Sequence, residues 1–312
     1  MSVVNRSLRI SAETPAELRR ADRAVQSLAE SSRRRTQALF DNHCISVNGT
    51  ICHEPWRQLS DGDVVETTYD SEQQYAMAKK VPRYLGFDIL FEDEHLMVVD
   101  KPATWLTVPT DKHETNTLVH RISDYLTKKN RGRRVLIYPA HRLDRGVSGV
   151  LLLGKSLEIA AALRKQFEHH KPERQYLAIV AGRMVARKGT FRNFLTTDPQ
   201  LNRHSTDDEE SGELAVTHYE VDRDFPDTTQ LRIWLETGRR NQIRVHLAEA
   251  GHPVLGDPRY GHQQAMHKHW PAERMALHAT RLAFDHPVTE LRQEFETPLP
   301  IEFEKFVKRQ SS

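Results

Sequence analysis

Cysteine is almost missing from this chain. Cys44 and Cys52 are the only two in 312 residues. That excludes a disulfide framework and a zinc site built on paired cysteines, and it fits the reducing cytoplasm. No stretch approaches the roughly 20 apolar residues of a membrane helix. The opening MSVVNRSLRI has no apolar core, so no secretory signal is expected. Neither sign of charge dominates: 45 Lys and Arg stand against 43 Asp and Glu, a formal net charge of +2. Such a balance leaves a basic face open, because local distribution decides nucleic-acid binding. The arginines do cluster, at Arg33-Arg34-Arg35, at Arg131, Arg133 and Arg134, and at Arg239-Arg240. His262, His267 and His269 have the spacing of no closed metal site and read as a surface loop. No internal repeat and no cofactor fingerprint is present, so neither metal nor cofactor is expected.

What is there divides into two parts. Residues 15–68 read as helix, helix and short strands. Leu18, Ala21, Val25 and Leu28 recur at helical spacing and predict one helix over residues 16–29. Ser31 or Ser32 can cap a second helix whose buried side is Ala38, Leu39 and Phe40. Asn48-Gly49 within ISVNGTI signals a tight hairpin, and Asp61-Gly62 a further turn before a strand. Residues 69–84 are polar, end near Pro82 and read as a linker. Residues 85–307 carry the larger segment. Strands are expected in FDILFEDEHLMVVDKP, VSGVLLLGK, RQYLAIVAG and TQLRIWLET. Helices are expected in TNTLVHRISDYLTKKN, in SLEIAAALRKQFEHHK with Ser156 as cap, and in RRNQIRVHLAEAG ended by Gly251. KPATW and GDPRYG read as turns, the second near a cleft. The polar stretch 198–213, with Asp207 to Glu210, reads as an exposed loop. Without a strict βαβ rhythm, the pattern predicts an α+β fold with a mainly antiparallel central sheet.

Three constellations carry possible chemistry. In PAHRLDRGVSG, Asp144 stands between Arg142 and Arg145 before a bend from Gly146 to Gly149. An extended HRLDR puts Arg142 and Asp144 on one face. Nearby guanidinium groups favour the charged form of a carboxylate, which suits a nucleophile or fixed base. Taken alone, the motif reads first as a structural ion pair. In TGRRNQIRVHLAEAG, Arg240 and Arg244 are spaced for one helix face and suit phosphate or carboxylate, although an isolated pair reads as a solvated basic face. Tyr176 opens a buried strand and is either core or a platform for a flipped base. A hydrolase pairing Asp144 with His141 lacks a nucleophile elbow.

Taken in order, HRLDRGVSGVLLLGK, RQYLAIVAG and TGRRNQIRVHLAEAGHPVLGDPRYG resemble the RluA-type RNA pseudouridine synthases. ILFEDEHLMVVDKP before them and ALHATRLAFDHP with TPLP after them extend the likeness across residues 86–303. Val147 replaces a usual threonine, Asn241 a usual histidine, and TWLTVPTD lacks the customary glycine and histidine. The resemblance implies a pseudouridine-synthase-like catalytic domain over residues 85–307 with a cleft. It implies Asp144 as catalytic aspartate, Tyr176 as the ring stacked on the target base, and Arg244 as the partner of the aspartate. It further implies that uracil is detached, turned and rejoined through carbon 5, with no redox change and no cofactor. Whether the aspartate attacks the ribose, adds to the ring or removes a sugar proton stays open. Arg142 or a nearby basic residue such as Arg240 is expected to hold RNA or fill the space the base vacates. Residues 15–68 resemble the S-four-type RNA-binding module, on Ser32-Arg33, Val47-Asn48-Gly49 and Asp61-Gly62-Asp63. That implies phosphate contacts from Arg33, Arg34 and Arg35. Large-subunit ribosomal RNA is the expected substrate. Transfer RNA and a non-catalytic role in ribosome assembly are the alternatives, and a monomer is the default.

Overall fold

The Asn48-Gly49 pair turns the chain as its sequence demands. Both residues have positive φ, 56° and 77°, the requirement of the two-residue turn that matches strand twist. In the computed structural model of the chain, this turn lies in the first of two units, Met1–Val81 and Pro82–Ser312. The structure describes residues 3–42, 44–52, 54–71, 86–110, 113–271 and 274–310.

The first unit comprises β1 (Val3–Arg9), α1 (Ala21–Leu28), α2 (Arg33–Asp41), β2 (Ile45–Val47), β3 (Thr50–Ile51) and β4 (Val64–Asp70). Its strands form one antiparallel sheet in the order β1-β4-β2-β3. Val25, Leu39, Phe40, Ile45 and Val65 are buried between helices and sheet, each stabilising by about 1.5–3 kcal/mol. Ser32 caps α2, its hydroxyl accepting from the Arg35 N–H at 3.3 Å. Three expectations are corrected. The single helix over 16–29 is broken, because Arg19 and Arg20 pair with residues 58 and 59: Arg20 is extended and bridges Gln58, and the Leu59 N–H reaches the Arg19 carbonyl at 2.8 Å. The first sheet also includes residues before 15, with β1 paired along β4. Finally, Tyr69 and Asp70 prolong β4 rather than open a linker. Residues 72–84 of that linker lie outside the described residues.

The second unit has an α+β fold. Its elements are β5 (Asp88–Glu92), β6 (Leu96–Lys101), α3 (Leu118–Lys129), β7 (Tyr138–Pro139), β8 (Ser148–Gly154), α4 (Leu157–Glu168), β9 (Glu173–Ala181) and β10 (Lys188–Thr197). They continue with β11 (Arg203–Thr206), β12 (Glu213–Asp224), β13 (Thr228–Leu235), α5 (Gln242–Glu249), α6 (His262–Ala265), β14 (Leu277–Asp285), β15 (Arg292–Glu296) and α7 (Ile301–Gln310). The sheet runs β11-β10-β12-β13-β9-β14-β8-β6-β5, with β15 on β14 and β7 on β8. All described pairings are antiparallel except β8 with β14. The stretch 198–213 is therefore more than a loop, since β11 lies within it, paired with β10. His267 likewise leaves the surface, its ring packing on Phe306.

β8 is an interior strand, so after Ser148 its sequence GVLLLG is apolar, and the whole strand is buried, as expected of a strand covered on both faces. Val150 and Leu152 pack with Leu163 of α4 and with Leu282 and Phe284 of β14. Ser156 caps α4 by accepting from the Ile159 N–H at 3.2 Å. Gly149 is where β8 meets β14. It has φ 118°, and a Cβ there would stand 2.1 Å from the Ala279 carbonyl oxygen. Only glycine lets the two backbones approach. Gly149→Ala is expected to lower unfolding free energy by at least about 2 kcal/mol. Urea unfolding checks this; a midpoint unchanged from wild type would refute it.

Candidate active site

Asp144 lies on the segment between β7 and β8, and that segment is clipped from beneath. Leu143 is buried, and its backbone exchanges two hydrogen bonds with the Thr107 hydroxyl: its N–H donates at 3.2 Å and its carbonyl accepts at 2.8 Å. The Gly146 N–H reaches the Ala103 carbonyl at 2.7 Å. Lys101, fully buried at the end of β6, donates to the carbonyls of Val147 (2.7 Å), Pro102 (3.1 Å) and Asp144 (3.3 Å). Burial pushes its pKa down to about 7, with the charge of Asp144 opposing. Arg142, Leu143 and Asp144 all line a cavity of about 510 Å³.

The arginines beside Asp144 in sequence are not its partners. Arg145 reaches towards Glu114, 3.8 Å away. Arg142 is exposed and lines the cavity. Asp144 Oδ2 instead accepts from Arg244 Nη1 at 2.9 Å. Arg244 is itself gripped by Asp257, through Nε to Oδ2 at 2.7 Å and Nη2 to Oδ1 at 2.9 Å. Asp257 is fully buried and also accepts the N–H groups of Arg259 and Tyr260 at 2.9 and 3.0 Å. The Arg244 guanidinium lies over the Tyr260 ring, 5.0 Å from its centre. Burial works against its charge, but the Asp257 hydrogen bonds and the charges of Asp144 and Asp257 outweigh it. The pKa of Arg244 is raised as a result.

The start of α5 explains why Arg244 points there. Asn241 caps the helix in the left-handed region, φ 58°, which asparagine tolerates better than most residues. Its side chain accepts from Arg244 Nη1 at 2.9 Å and donates to the Tyr260 hydroxyl at 3.0 Å. Gln242 anchors the first turn to Thr237 and to the Val216 carbonyl. This corrects the expected helix face of Arg240 and Arg244. Arg240 precedes the helix, because the turn at Asn241 separates them, and its Nη2 donates to the Leu201 carbonyl at 2.9 Å. Arg240 nevertheless lines the same cavity.

Tyr176 stands inside β9, in register with Ala279 of β14 and Ile233 of β13. It is buried and lines the cavity, and burial raises its pKa. His141 is not a base for Asp144. Its Nε2 accepts the Leu152 N–H at 3.1 Å, and burial, aided by the Arg174 charge, pushes its pKa down to about 3. Among the sequence-derived candidates, Asp144, Tyr176, Arg244, Arg142 and Arg240 thus share one cavity. Arg33 and Arg35 belong to the first unit, both exposed in the first turn of α2, with Arg35 over the Tyr69 ring. The side chain of Arg34 lies outside those described. Sequence reasoning missed Lys101, Thr107, Asp257 and Tyr260. KPATW and GDPRYG read as turns, and no periodicity marks a buried charge inside a turn. The Asp of GDPRYG, following the arginine-rich stretch RRNQIR, was the available signal.

The family described as RNA pseudouridylate synthase matches residues 95–249. The chain is 32% identical over 285 residues to an uncharacterized RNA pseudouridine synthase, YjbO, of Bacillus subtilis, covering 90% of this chain and 95% of that one. It is 32% identical over 313 residues to the ribosomal large subunit pseudouridine synthase D of Pseudomonas aeruginosa, covering 94% and 92%. The fold is similar to that of the human RNA pseudouridylate synthase domain containing 4. There the TM-score is 0.58 and the identity 21%, covering 72% of this chain and 93% of that one.

Two outcomes follow from the buried charges. Asp257→Asn leaves Arg244 short of a buried counter-ion and is expected to cost about 3 kcal/mol of stability, measured by urea unfolding. A cost below about 1 kcal/mol would contradict it. For Lys101, the folded chain binds the proton less tightly than the unfolded chain, whose pKa is near 10.5. Its contribution to stability therefore rises with pH from about 7 towards 10.5 and falls as pH drops back. Lys101→Met lacks this contribution. Wild type should gain on that variant between about pH 7 and pH 10, by on the order of a few kcal/mol at most. A difference flat in pH would show that Lys101 does not titrate there.

Proposed function

The chain belongs to the RNA pseudouridylate synthase family and is an isomerase that converts uridine to pseudouridine in RNA; we propose that Asp144 is its catalytic carboxylate and large-subunit ribosomal RNA its substrate. One observation carries the assignment of Asp144. At the cavity wall, a partly accessible carboxylate is held by a buried arginine that has a second, inaccessible carboxylate of its own. A purely structural pair would need only one acid. Here Asp257 already matches the charge of Arg244 and fixes its plane, and Asp144 receives a further hydrogen bond from Nη1.

The reaction breaks the bond from ribose carbon 1 to base nitrogen 1 and forms one from the same carbon to base carbon 5. A proton leaves carbon 5 and nitrogen 1 gains one, so atoms and electrons balance without an oxidant. In this reading Asp144 faces the sugar and base, Arg244 orients it, and the Tyr176 ring stacks on the uracil. The uridine must leave its stack to enter, at a cost of a few kcal/mol that is smaller in unpaired RNA. Arg142, exposed at the cavity, fills the vacated space. The ribosomal substrate is supported by the name of the Pseudomonas relative and by the N-terminal unit, read as an S-four-type module. Arg33, Arg34 and Arg35 would touch phosphates there, and Arg240 at the cavity. The reading includes a monomeric, cytoplasmic enzyme. Among the described residues, no helix is long and apolar enough to cross a membrane.

The test is a base-resolution pseudouridine map of unmodified ribosomal and transfer RNA treated with wild type and with Asp144→Asn. New pseudouridine in large-subunit RNA with wild type alone is expected. Modification of transfer RNA alone would overturn the substrate, and activity retained by Asp144→Asn would overturn the catalytic assignment. Binding without any modification would favour a non-catalytic assembly role. Arg142→Ala is expected to slow modification of paired sites more than unpaired ones by about 10-fold, the share of the flipping cost it relieves; equal losses would remove its proposed role.

A further inference from the structure

The second unit buries three described arginines almost completely: Arg174, Arg203 and Arg244. Two of them have acids. Arg244 holds Asp144 and Asp257, and Arg203 pairs with Glu213 at 2.7 Å. Arg174 forms no ion pair with any described residue, although it is only 7% exposed. Its Nη2 donates to the carbonyls of Glu236 at 3.0 Å and Leu235 at 3.5 Å, and its buried Nε has no partner. A guanidinium cannot shed its proton, so the cost of a buried, unmatched charge stands.

The surroundings fix this cation rather than neutralise it. Its guanidinium lies over the Phe167 ring, 5.4 Å from the centre, and Phe167 packs on His141. A Cβ on Gly238 would come within 2.4 Å of Nη1, so the loop after β13 passes directly against the guanidinium. Arg174 also stands two residues before Tyr176 on β9, which puts both side chains on one face of the strand. Both line the cavity that holds Asp144. Glu168 is the other acid lining that cavity; it is exposed and unpaired with Arg174. With Asp144 matched by Arg244, the cavity keeps a surplus of positive charge at Arg174, Arg142 and Arg240. The anionic group of RNA is its phosphodiester, and a fixed, planar guanidinium is suited to it.

We propose that Arg174 forms an anion subsite in this cavity and binds one of the two phosphodiesters flanking the target uridine. This rests on the pseudouridine synthase reading of the same cavity. The arriving phosphate supplies the counter-ion the fold withholds, so part of the binding free energy is available only to a strand seated with its uridine beside Tyr176. Arg174 is thus a positioning residue for the sugar that Asp144 faces.

The experiment uses the full-length protein and a short RNA spanning one uridine that wild type modifies. The RNA is made with ordinary linkages, or with a neutral methylphosphonate on the 5′ or the 3′ side of that uridine. Single-turnover pseudouridine formation is measured for wild type, Arg174→Gln and Arg174→Lys. For wild type, one neutral linkage should lower kcat/KM about 10- to 100-fold, the value of one charge-assisted contact. Arg174→Gln should lose as much on the ordinary RNA, lose no more on the neutral one, and be partly rescued by Arg174→Lys. Independent, multiplying losses would overturn the proposal, as would a wild type indifferent to both neutral linkages. The wild-type arms decide even if Arg174→Gln does not fold. If wild type makes no pseudouridine in any RNA, the parent reading fails and this one with it; indifference to the neutral linkages sinks this one alone.

Discussion

The site depends on one buried arginine shared by two carboxylates. Arg244 could not lie so deep without Asp257, whose own charge would be as costly without Arg244. Their paired hydrogen bonds at 2.7 and 2.9 Å fix the guanidinium in its plane. Nη1 then meets Asp144 in a set direction, and that contact joins segments a hundred residues apart. The backbone N–H groups of Arg259 and Tyr260, turned onto Asp257, tie the following loop to the same point. Asn241 and Tyr260 close the ring through their own hydrogen bond.

The other side of Asp144 is fixed by main-chain carbonyls and a different cation. Lys101 binds the carbonyls on both sides of the Gly146 turn, so the loop is held by its backbone while its carboxylate stays free for Arg244. The division is economical in chemical terms. Lys101 shapes the loop from within, and Arg244 orients the acid from across the cavity. Among the described residues, Arg174 is the one buried arginine whose hydrogen bonds go only to carbonyls.

Much of this was legible in the sequence, for physical reasons that differ by element. The Asn48-Gly49 hairpin, the Ser156 cap and the buried strand β8 announce themselves because their causes are local: backbone φ, an orphan N–H, an apolar run. Asp144, Tyr176 and Arg244 were readable only as an ordered set, since each alone looks like an ordinary structural residue. The break at Arg19 and Arg20 was not readable. Their pairing with residues 58 and 59 is a tertiary contact that overrides helical periodicity. Asp257 and Lys101 were hidden for a related reason. A charge in a turn or at a strand end looks the same whether it faces water or the core, and only the partner, distant in sequence, decides.

The strand order has one more implication, for assembly in time. β14 lies between β9 and β8, so the sheet consists of two halves that this late strand joins. Asp144 belongs to the half ending in β8, while Tyr176 belongs to the half ending in β9. Ser148 and His278, in register across the joint, are 130 residues apart along the chain. Contacts of such long range close slowly and late. Every catalytic candidate precedes residues 277–285 in the chain, yet the two halves of the sheet meet only through that strand. Residues 277–285 thus complete the sheet that carries Asp144 on one side of the seam and Tyr176 on the other.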